Sequence, residues 1–182
     1  MKIKSIDIRI SQIICLAIYY GFAKHLPHSG FPIFGGGSKW LRYQLVRRIF
    51  KVCGKNVNIE HGASFGSGRN ISIGDNSGIG INADIPGNTI IGKNVMMGPN
   101  CYIAYNNHIF SSIDTPICEQ GMSAPKETVI EDDVWIGKDV KMTVGRHISR
   151  GSIIALGCVL TKDFPPFSIV GGNPGRLIKS RI

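Results

Sequence analysis

Residues 73–103 read IGDNSGIGINADIPGNTIIGKNVMMGPNCYI, and this stretch decides the fold. In it, an aliphatic or methionine side chain recurs at every sixth position. The residues at this spacing are Ile73, Ile79, Ile85, Ile91, Met97 and Ile103, and a second run comprises Ile130, Ile136, Met142, Ile148, Ile154 and Leu160. An earlier run, Cys53, Ile59, Phe65 and Ile71, keeps the period but is offset by two residues, which predicts a small insertion at a corner. Self-similarity at a fixed period is typical of a repeat architecture.

A strict period of six fits neither an α-helix, with its spacing of three and four, nor an alternating strand. It fits a coil in which each unit is a short strand plus a corner, and three units close one triangular turn. Glycine follows the inward residue at Gly74, Gly80, Gly92, Gly98 and Gly137, as expected where a corner needs a positive φ or close backbone approach. Small or β-branched residues stand four positions after the inward residue and should fill the interior: Val57, Ala63, Ser77, Ala83, Thr89, Val95, Cys101, Val134, Val140, Ser152 and Cys158. The pattern predicts an all-β solenoid, a parallel β-helix of about five turns.

The cysteines and one arginine test this interpretation. Five cysteines form an odd set without a C-x-x-C pair, so neither a disulfide framework nor a zinc site is indicated, and a reducing cytoplasm fits best. Cys101 and Cys158 fall on inward positions and are interpreted as small hydrophobic residues rather than nucleophiles. Arg146 also falls on a small inward position, where an unpaired guanidinium would be very costly. Either the coil bulges there or Arg146 finds a carboxylate.

The chain divides into three parts. Residues 1–50, helical by the periodicity of RYQLVRRIF, are expected to cap one end of the coil at 51–165, and the tail 166–182 to fold back over the other end. The apolar segment 10–23 is too short to span a bilayer and lacks a small-residue cleavage site. The segment is interpreted as an amphipathic helix packed on the domain; a helix lying on a membrane surface is the alternative, for which Lys2, Lys4 and Arg9 give weak support.

The formal net charge of +9 would suit a nucleic acid, a membrane surface or a phosphate-bearing ligand. No basic stripe is interleaved with aromatic residues, and this disfavours a nucleic-acid partner.

The repeat is interrupted at residues 104–129, which include AYNNHIFSSIDTPICEQGMSAPKET. A loop of that length inside a compact fold is usually functional. It contains His108, and histidine titrates near neutrality, so it can accept a proton from a hydroxyl that attacks a thioester. A lone histidine is more often a solvated or structurally paired residue, and the residues alone leave both roles open.

Several motifs occur in order with characteristic gaps: IGDNSGIGINADI, MGPNCYIAYNNHIF, VWIGKDVKM and ALGCVLTKDFPPFSIVGGNPGRLIK. Together they resemble the left-handed β-helix O-acetyltransferases, the group of maltose, galactoside and nodulation-factor acetyltransferases. The resemblance covers residues 52–182 and implies a left-handed coil and acetyl-CoA as donor, without a metal. YYGFAKHLPHSG and RYQLVRRIFKVCGKNVNIE further resemble the members encoded with capsule or exopolysaccharide genes, including the colanic acid type, which implies a saccharide hydroxyl as acceptor.

The resemblance also implies roles for individual residues. His108 matches the catalytic histidine. Asn82, Asn107, Met122 and Trp135 match residues on the acceptor side, whereas Gly137, Lys138, Gly157, Thr161, Lys162, Arg176 and Lys179 match positions along CoA. The sequence departs from the family where an acidic residue is usual, at 85–88, and where a small residue is usual, at Lys138. The usual Pro-Gly-Val turn is Val-Gly-Arg at 144–146.

Members of this family assemble as homotrimers with each active site between subunits, so His108 and much of the CoA contact would come from different chains. A xenobiotic or serine acetyltransferase of the same fold remains an alternative, because the fold does not fix the acceptor. From other classes, a carbonic anhydrase would need three histidines on neighbouring turns, and no H-x4-H pair exists. A non-catalytic scaffold would not need the long loop.

Overall fold

The computed structural model describes residues 10–182, and the first part of this range is helical. Helix α1 spans Ile10–Gly21, a 3-10 turn spans Ala23–His25, and helix α2 spans Gly35–Ile49. Lys2, Lys4 and Arg9, which the sequence analysis associated with a membrane surface, lie outside the described residues. Within 10–182, no helix combines the length and apolar character needed to cross a bilayer.

Short parallel strands form a three-sided coil. The first face contains Val52–Cys53 (β1), Ser72–Ile73 (β3), Ile90–Ile91 (β5), Val129–Ile130 (β8) and His147–Ile148 (β11). The second face contains Asn58–Ile59 (β2), Gly78–Ile79 (β4), Met96–Met97 (β6), Trp135–Ile136 (β9), Ile153–Ile154 (β12), Ser168–Gly171 (β14) and Arg176–Ser180 (β15). The third face contains bridges at Ser64 and Asp84, followed by Tyr102–Ile103 (β7), Lys141–Met142 (β10) and Val159–Leu160 (β13). The predicted β-helix is thus confirmed.

The interior of the coil is filled as the repeat predicts. The inward residues are buried except Cys53 and Met97, which are partly buried, and the small residue four positions later is buried in every unit; Ala63, Val95, Val140 and Cys158 are fully enclosed. Burial raises the pKa of the Cys101 thiol to about 11, which keeps it protonated near neutral pH. Cys101 therefore serves as a core residue.

The corners explain the glycines. We call the corner between the first and second faces the first corner, and number the second and third in chain order. A Cβ added to Gly98 would lie 2.6 Å from the Lys138 nitrogen, so glycine is required there by close approach of the next coil. A positive φ, the other property for which a corner can require glycine, is found at different positions. In the first corner these are Asn56, Asn76, Asn94, Asp133 and Gly151. In the second corner they are Gly62, Asn82, Asn100, Asp139 and Gly157.

The register changes only at the third corner. Cys53 pairs with Ile73 and Ile73 with Ile91, a step of 20 residues followed by one of 18. An insertion at a corner is confirmed, but the two additional residues lie between Phe65 and Ile71 rather than after Ile71, which aligns with Thr89 of the next turn. The next step, from Ile91 to Ile130, contains the long loop.

The coil continues beyond residue 165, where the sequence placed its end. Phe164 bridges to Ile148 on the first face, and β14 pairs in parallel with β12 on the second. The coil therefore has nearly six turns rather than about five. The tail then turns back as β15, which pairs antiparallel with β14 at the edge of the second face.

The helical cap is attached by a buried ion pair. Arg42 of α2 has a fully buried side chain, donates hydrogen bonds to the carbonyl oxygens of Ile59, Leu26 and Pro27, and lies 3.7 Å from Glu60 Oε2. Burial alone would raise the pKa of Glu60, but hydrogen bonds from Ser29 and Asn58 and the charge of Arg42 outweigh it and hold this pKa below its usual value. The ion pair fixes α2 against the first coil.

Candidate active site

The interrupting loop, residues 104–128, is an ordered excursion from the third corner. Its two arms run antiparallel: Ile109 N donates to Gly121 O at 3.0 Å and Ser123 N to Asn107 O at 2.7 Å. Gln120 closes the tip, since its Nε2 donates to the carbonyl oxygens of Ser112 and Thr115. The arms place His108 directly opposite Met122.

His108 differs from the other four histidines. The rings of His25 and His61 hydrogen-bond to the carbonyl oxygens of Tyr20 and Leu26, and the ring of His28 accepts from Gly30 N. His147 Nε2 lies 2.7 Å from Glu131 Oε1. The exposed ring of His108 has no hydrogen bond to any residue in 10–182. Its nitrogens are therefore available to a substrate.

His108 lines an open cavity of about 400 Å³ between the loop and the coil. The loop contributes Asn107, Ile109, Phe110, Ser111, Ser123 and Lys126, and the coil contributes Thr143, Val144 and Arg146. The wall therefore combines apolar side chains with two cations and several hydroxyl and amide groups, the mixture expected of a site for a polar small molecule.

Arg146, which falls on an inward position of the repeat, is paired with a carboxylate. Its Nη1 lies 3.4 Å from Asp163 Oδ1 and donates to the Thr161 carbonyl oxygen at 2.9 Å, and its Nη2 donates to the Val144 carbonyl oxygen. The side chain, which is only 20% exposed, links the turn at 144–146 to the next turn at 161–163. That next turn contains Thr161 and Lys162, two of the predicted CoA residues.

The predicted site residues lie at different corners and faces of the β-helix. Asn107, His108, Met122, Thr161 and Lys162 lie at the third corner. Gly137, Lys138 and Gly157 lie at the second corner with Asn82, whereas Trp135, Arg176 and Lys179 lie on the second face. The chain thus brings together the loop residues, but it separates them from the tryptophan and from the other positions predicted to contact CoA.

Several of these residues already have structural partners. The amide groups of Gly137 and Gly157 donate to Ile154 O and Lys138 O, so any backbone contact with a ligand would use a carbonyl oxygen. Asn82 takes part in the second-corner ladder, donating to Asn100 Oδ1 at 3.4 Å. Lys138 is exposed beside Asp139. Trp135, Arg176 and Lys179 are exposed.

The sequence did not identify Lys126, Thr143 or Arg146 as part of the site. Only Arg146 gave a signal, because it broke the inward pattern. A second cavity of about 310 Å³ lies at the same corner, lined by Asp84, Tyr105 and the segment 85–88 that departs from the family pattern. In residues 10–182, no three His, Cys, Asp or Glu side chains converge as a metal site would require.

Comparisons with known proteins find relatives of the same repeat and fold. The family described as bacterial transferase hexapeptide (six repeats) matches residues 70–105. A hexapeptide-repeat-containing acetyltransferase from Vibrio cholerae superposes with a TM-score of 0.75 at 28% identity, covering 97% of this chain and 94% of that one, and its structure is also known in complex with acetyl coenzyme A. A maltose O-acetyltransferase from Clostridium difficile superposes with a TM-score of 0.69 at 30% identity, covering 93% and 86%.

Curated relatives match over shorter segments. The chloramphenicol acetyltransferase of Klebsiella aerogenes is 46% identical over 54 residues, 30% of this chain and only 26% of that protein. The match to the maltose O-acetyltransferase, by contrast, extends over most of both chains. The chain therefore belongs to the hexapeptide-repeat acetyltransferases, whose fold is the left-handed parallel β-helix.

Proposed function

We propose that the chain transfers an acetyl group from acetyl-CoA to a hydroxyl of a saccharide, with His108 as the general base. The observation that carries this proposal is the state of His108: its ring is free of intramolecular partners within residues 10–182 and lines a cavity between the loop and the coil whose wall combines polar and apolar side chains. The donor is supported by the relative whose structure contains acetyl coenzyme A.

The chemistry requires one proton acceptor and no covalent enzyme intermediate. A nitrogen of His108 removes the proton of the acceptor hydroxyl, whose oxygen attacks the thioester carbonyl carbon. The carbon–sulfur bond breaks as the tetrahedral intermediate collapses, and the departing CoA sulfur takes the proton from the imidazolium. Lys162, Arg176 and Lys179 supply positive charge for the phosphates of CoA.

The active unit is a homotrimer, with each active site between the β-helices of two neighbouring subunits. Support comes from the separation of the predicted residues: His108 and Lys162 lie at the third corner, whereas Trp135 lies on the second face. Rotation about an axis parallel to the coil would bring the third corner of one chain to the second face of the next. A monomer would therefore be inactive.

A complementation experiment tests this assembly. His108→Ala and Trp135→Ala chains are each expected to lose activity, and coexpression should restore part of it, because some interfaces then combine an intact His108 with an intact Trp135. The matched control coexpresses His108→Ala with the double variant, which leaves no intact site. Absence of recovery in a trimer of confirmed mass would contradict the shared site.

The acceptor is tested by thiol release from acetyl-CoA with mono- and oligosaccharides, chloramphenicol and serine. A saccharide made for capsule or exopolysaccharide is the proposed class, supported by the near full-length match to a maltose O-acetyltransferase. The second candidate is a xenobiotic, favoured by the higher identity to chloramphenicol acetyltransferase over a short segment. Activity on chloramphenicol or serine alone would exclude the saccharide. We place the reaction in the cytoplasm, which suits five free thiols.

A further inference from the structure

Helix α1 has an apolar face that the rest of the described chain leaves uncovered. Cys15 and Tyr19 are buried on its inner side. Outward, at spacings of three and four, stand Ile10, Ile13, Ile14, Ile18 and Phe22, all exposed, with 53% of Ile14 and 42% of Ile18 accessible. The residues between the helices and the start of α2 add exposed Phe31, Ile33, Phe34 and Trp40. We call these nine residues the apolar stripe, and it is larger than scattered surface hydrophobics would explain.

The positive charge of the protein lies in the same part of the chain. Residues 1–55 contain ten Lys or Arg and one Asp, whereas residues 56–182 contain eleven Lys or Arg and eleven Asp or Glu. The formal net charge of +9 therefore comes entirely from the first 55 residues. Arg42 is paired with Glu60, but Arg47, Arg48, Lys51 and Lys55 are exposed. No residue of α1 itself is charged.

We propose that the helical cap binds the surface of a membrane rich in anionic phospholipid, with the apolar stripe at the boundary of the acyl chains and the cations against the headgroups. An apolar helix face accompanied by basic residues is the arrangement that binds such an interface. Each cation near an anionic leaflet adds to the attraction. The proposal concerns a surface that does not include His108 and holds whichever acceptor the enzyme uses.

Charge complementarity favours lipid over other partners. A second copy of the cap would bring two surfaces of the same strong positive charge together, and like charges oppose association. A nucleic acid would engage the cations but leave the apolar stripe in water. An anionic lipid surface would bind the cations and also remove the apolar stripe from water. In the proposed trimer, with its axis parallel to the coils, three caps would lie at one end and bind together, which multiplies a weak affinity.

Cosedimentation of the full-length protein with vesicles tests the proposal. We expect binding to vesicles of phosphatidylglycerol and phosphatidylethanolamine, weakening as salt is raised, and little binding to phosphatidylcholine alone. The double variant Ile14→Gln/Ile18→Gln removes apolar surface without changing charge and should weaken binding by about tenfold or more. Leu177→Gln/Ile182→Gln makes the same kind of change to exposed residues at the opposite end, and should bind like the wild type.

Three further measurements separate this proposal from others. The melting temperature of Ile14→Gln/Ile18→Gln should equal that of the wild type, since both residues are exposed. Its mass by light scattering should also be unchanged; a smaller assembly would show that the stripe joins copies of the chain and would overturn the proposal. Unaltered vesicle binding by that variant, or no vesicle binding by the wild type, would also overturn the proposal. Acetyl transfer to a soluble saccharide tests the proposed function separately and should not change.

Discussion

The first and second corners of the coil differ from the third. At the first two, every turn contains one left-handed residue, and neighbouring asparagine and aspartate side chains are joined by hydrogen bonds such as Asn56 to Asn76 at 3.1 Å and Asn100 to Asp139 at 3.0 Å. The third corner has no such uniform series in residues 10–182. It contains the two-residue insertion after Phe65, the loop with His108, and Arg146 at an inward position.

This difference shows where the fold tolerates change. A β-helix is stable when each turn stacks on the next, and two regular corners suffice to keep the strands in register. The third corner can then vary, because an insertion there leaves the pairing of the strands intact, as the alignment of Ile91 with Ile130 across the loop demonstrates. Both cavities that involve the loop, beside His108 and beside Asp84, open at this corner.

The largest expected effect comes from the irregular corner. His108→Ala should lower kcat for acetyl transfer by about 100-fold or more, because it removes the general base. Unfolding in urea should be little changed, since the ring is exposed, and binding of CoA, measured by calorimetry, should be nearly intact.

His147→Ala provides the matched control, as its ring is exposed on the first face and pairs with Glu131. An exposed pair of this kind contributes little, so kcat should remain within about twofold of wild type. If His108→Ala keeps full activity, the assignment of the base fails and the third corner loses its catalytic role.

The second expected effect concerns the regular part of the coil, where it meets the cap. Glu60→Gln leaves the fully buried guanidinium of Arg42 without a counter-charge, and should lower the free energy of unfolding by about 3 kcal/mol. Glu119→Gln, an exposed change in the loop, should stay within about 0.5 kcal/mol. Urea unfolding followed by circular dichroism measures both.

The pH dependence of this effect has a definite sign. The pKa of Glu60 is lower in the folded protein, so its contribution is complete above the pKa of an unfolded glutamate, about 4.3, and disappears as the pH falls through the lowered value. The wild type and Glu60→Gln should therefore differ most at neutral pH and converge in acid. A difference that grows in acid would show that the ion pair does not stabilise the cap.

The contrast between corners also explains what the sequence could predict. The coil was predictable because a buried residue every sixth position constrains the chain, and Ile79, Val95 and Cys158 are buried as expected. The left-handed corner residues Asn76 and Asn94 were not predicted, because the repeat pattern favoured the glycines for this conformation, and those glycines serve close approach instead. The partners of Arg146 could not be predicted, since a bond to Asp163 across a turn depends on the path of the third corner. The separation of Trp135 on the second face from His108 at the third corner could not be predicted either, because the six-residue period does not show in which direction the loop extends.

A third prediction compares the same substitution at a regular and an irregular corner. Asn94 has φ of 57° at the first corner, and Asn94→Ala should lower the free energy of unfolding by about 1.5 kcal/mol, because alanine is disfavoured in the left-handed region. Asn94→Gly should recover most of that loss. Asn70 is exposed at the third corner without a positive φ, so Asn70→Ala should change stability by less than about 0.5 kcal/mol. Equal losses at both positions would contradict the difference between the corners.

The smallest effect expected is at Arg146, which joins two turns of the irregular corner. Arg146→Met removes a partly exposed ion pair, so stability should fall by about 1 kcal/mol or less. Because Arg146 holds the Thr161 carbonyl oxygen, its loss should loosen the segment with Thr161 and Lys162 and raise KM for acetyl-CoA about fivefold with little change in kcat, a loss comparable to one hydrogen bond. Arg150→Met, an exposed change at the first corner beside Phe167, should leave KM as it is. A fall in kcat at constant KM would instead mean that Arg146 acts in the cavity beside His108, and the irregular corner would then contain a second residue of the chemistry rather than a support for donor binding.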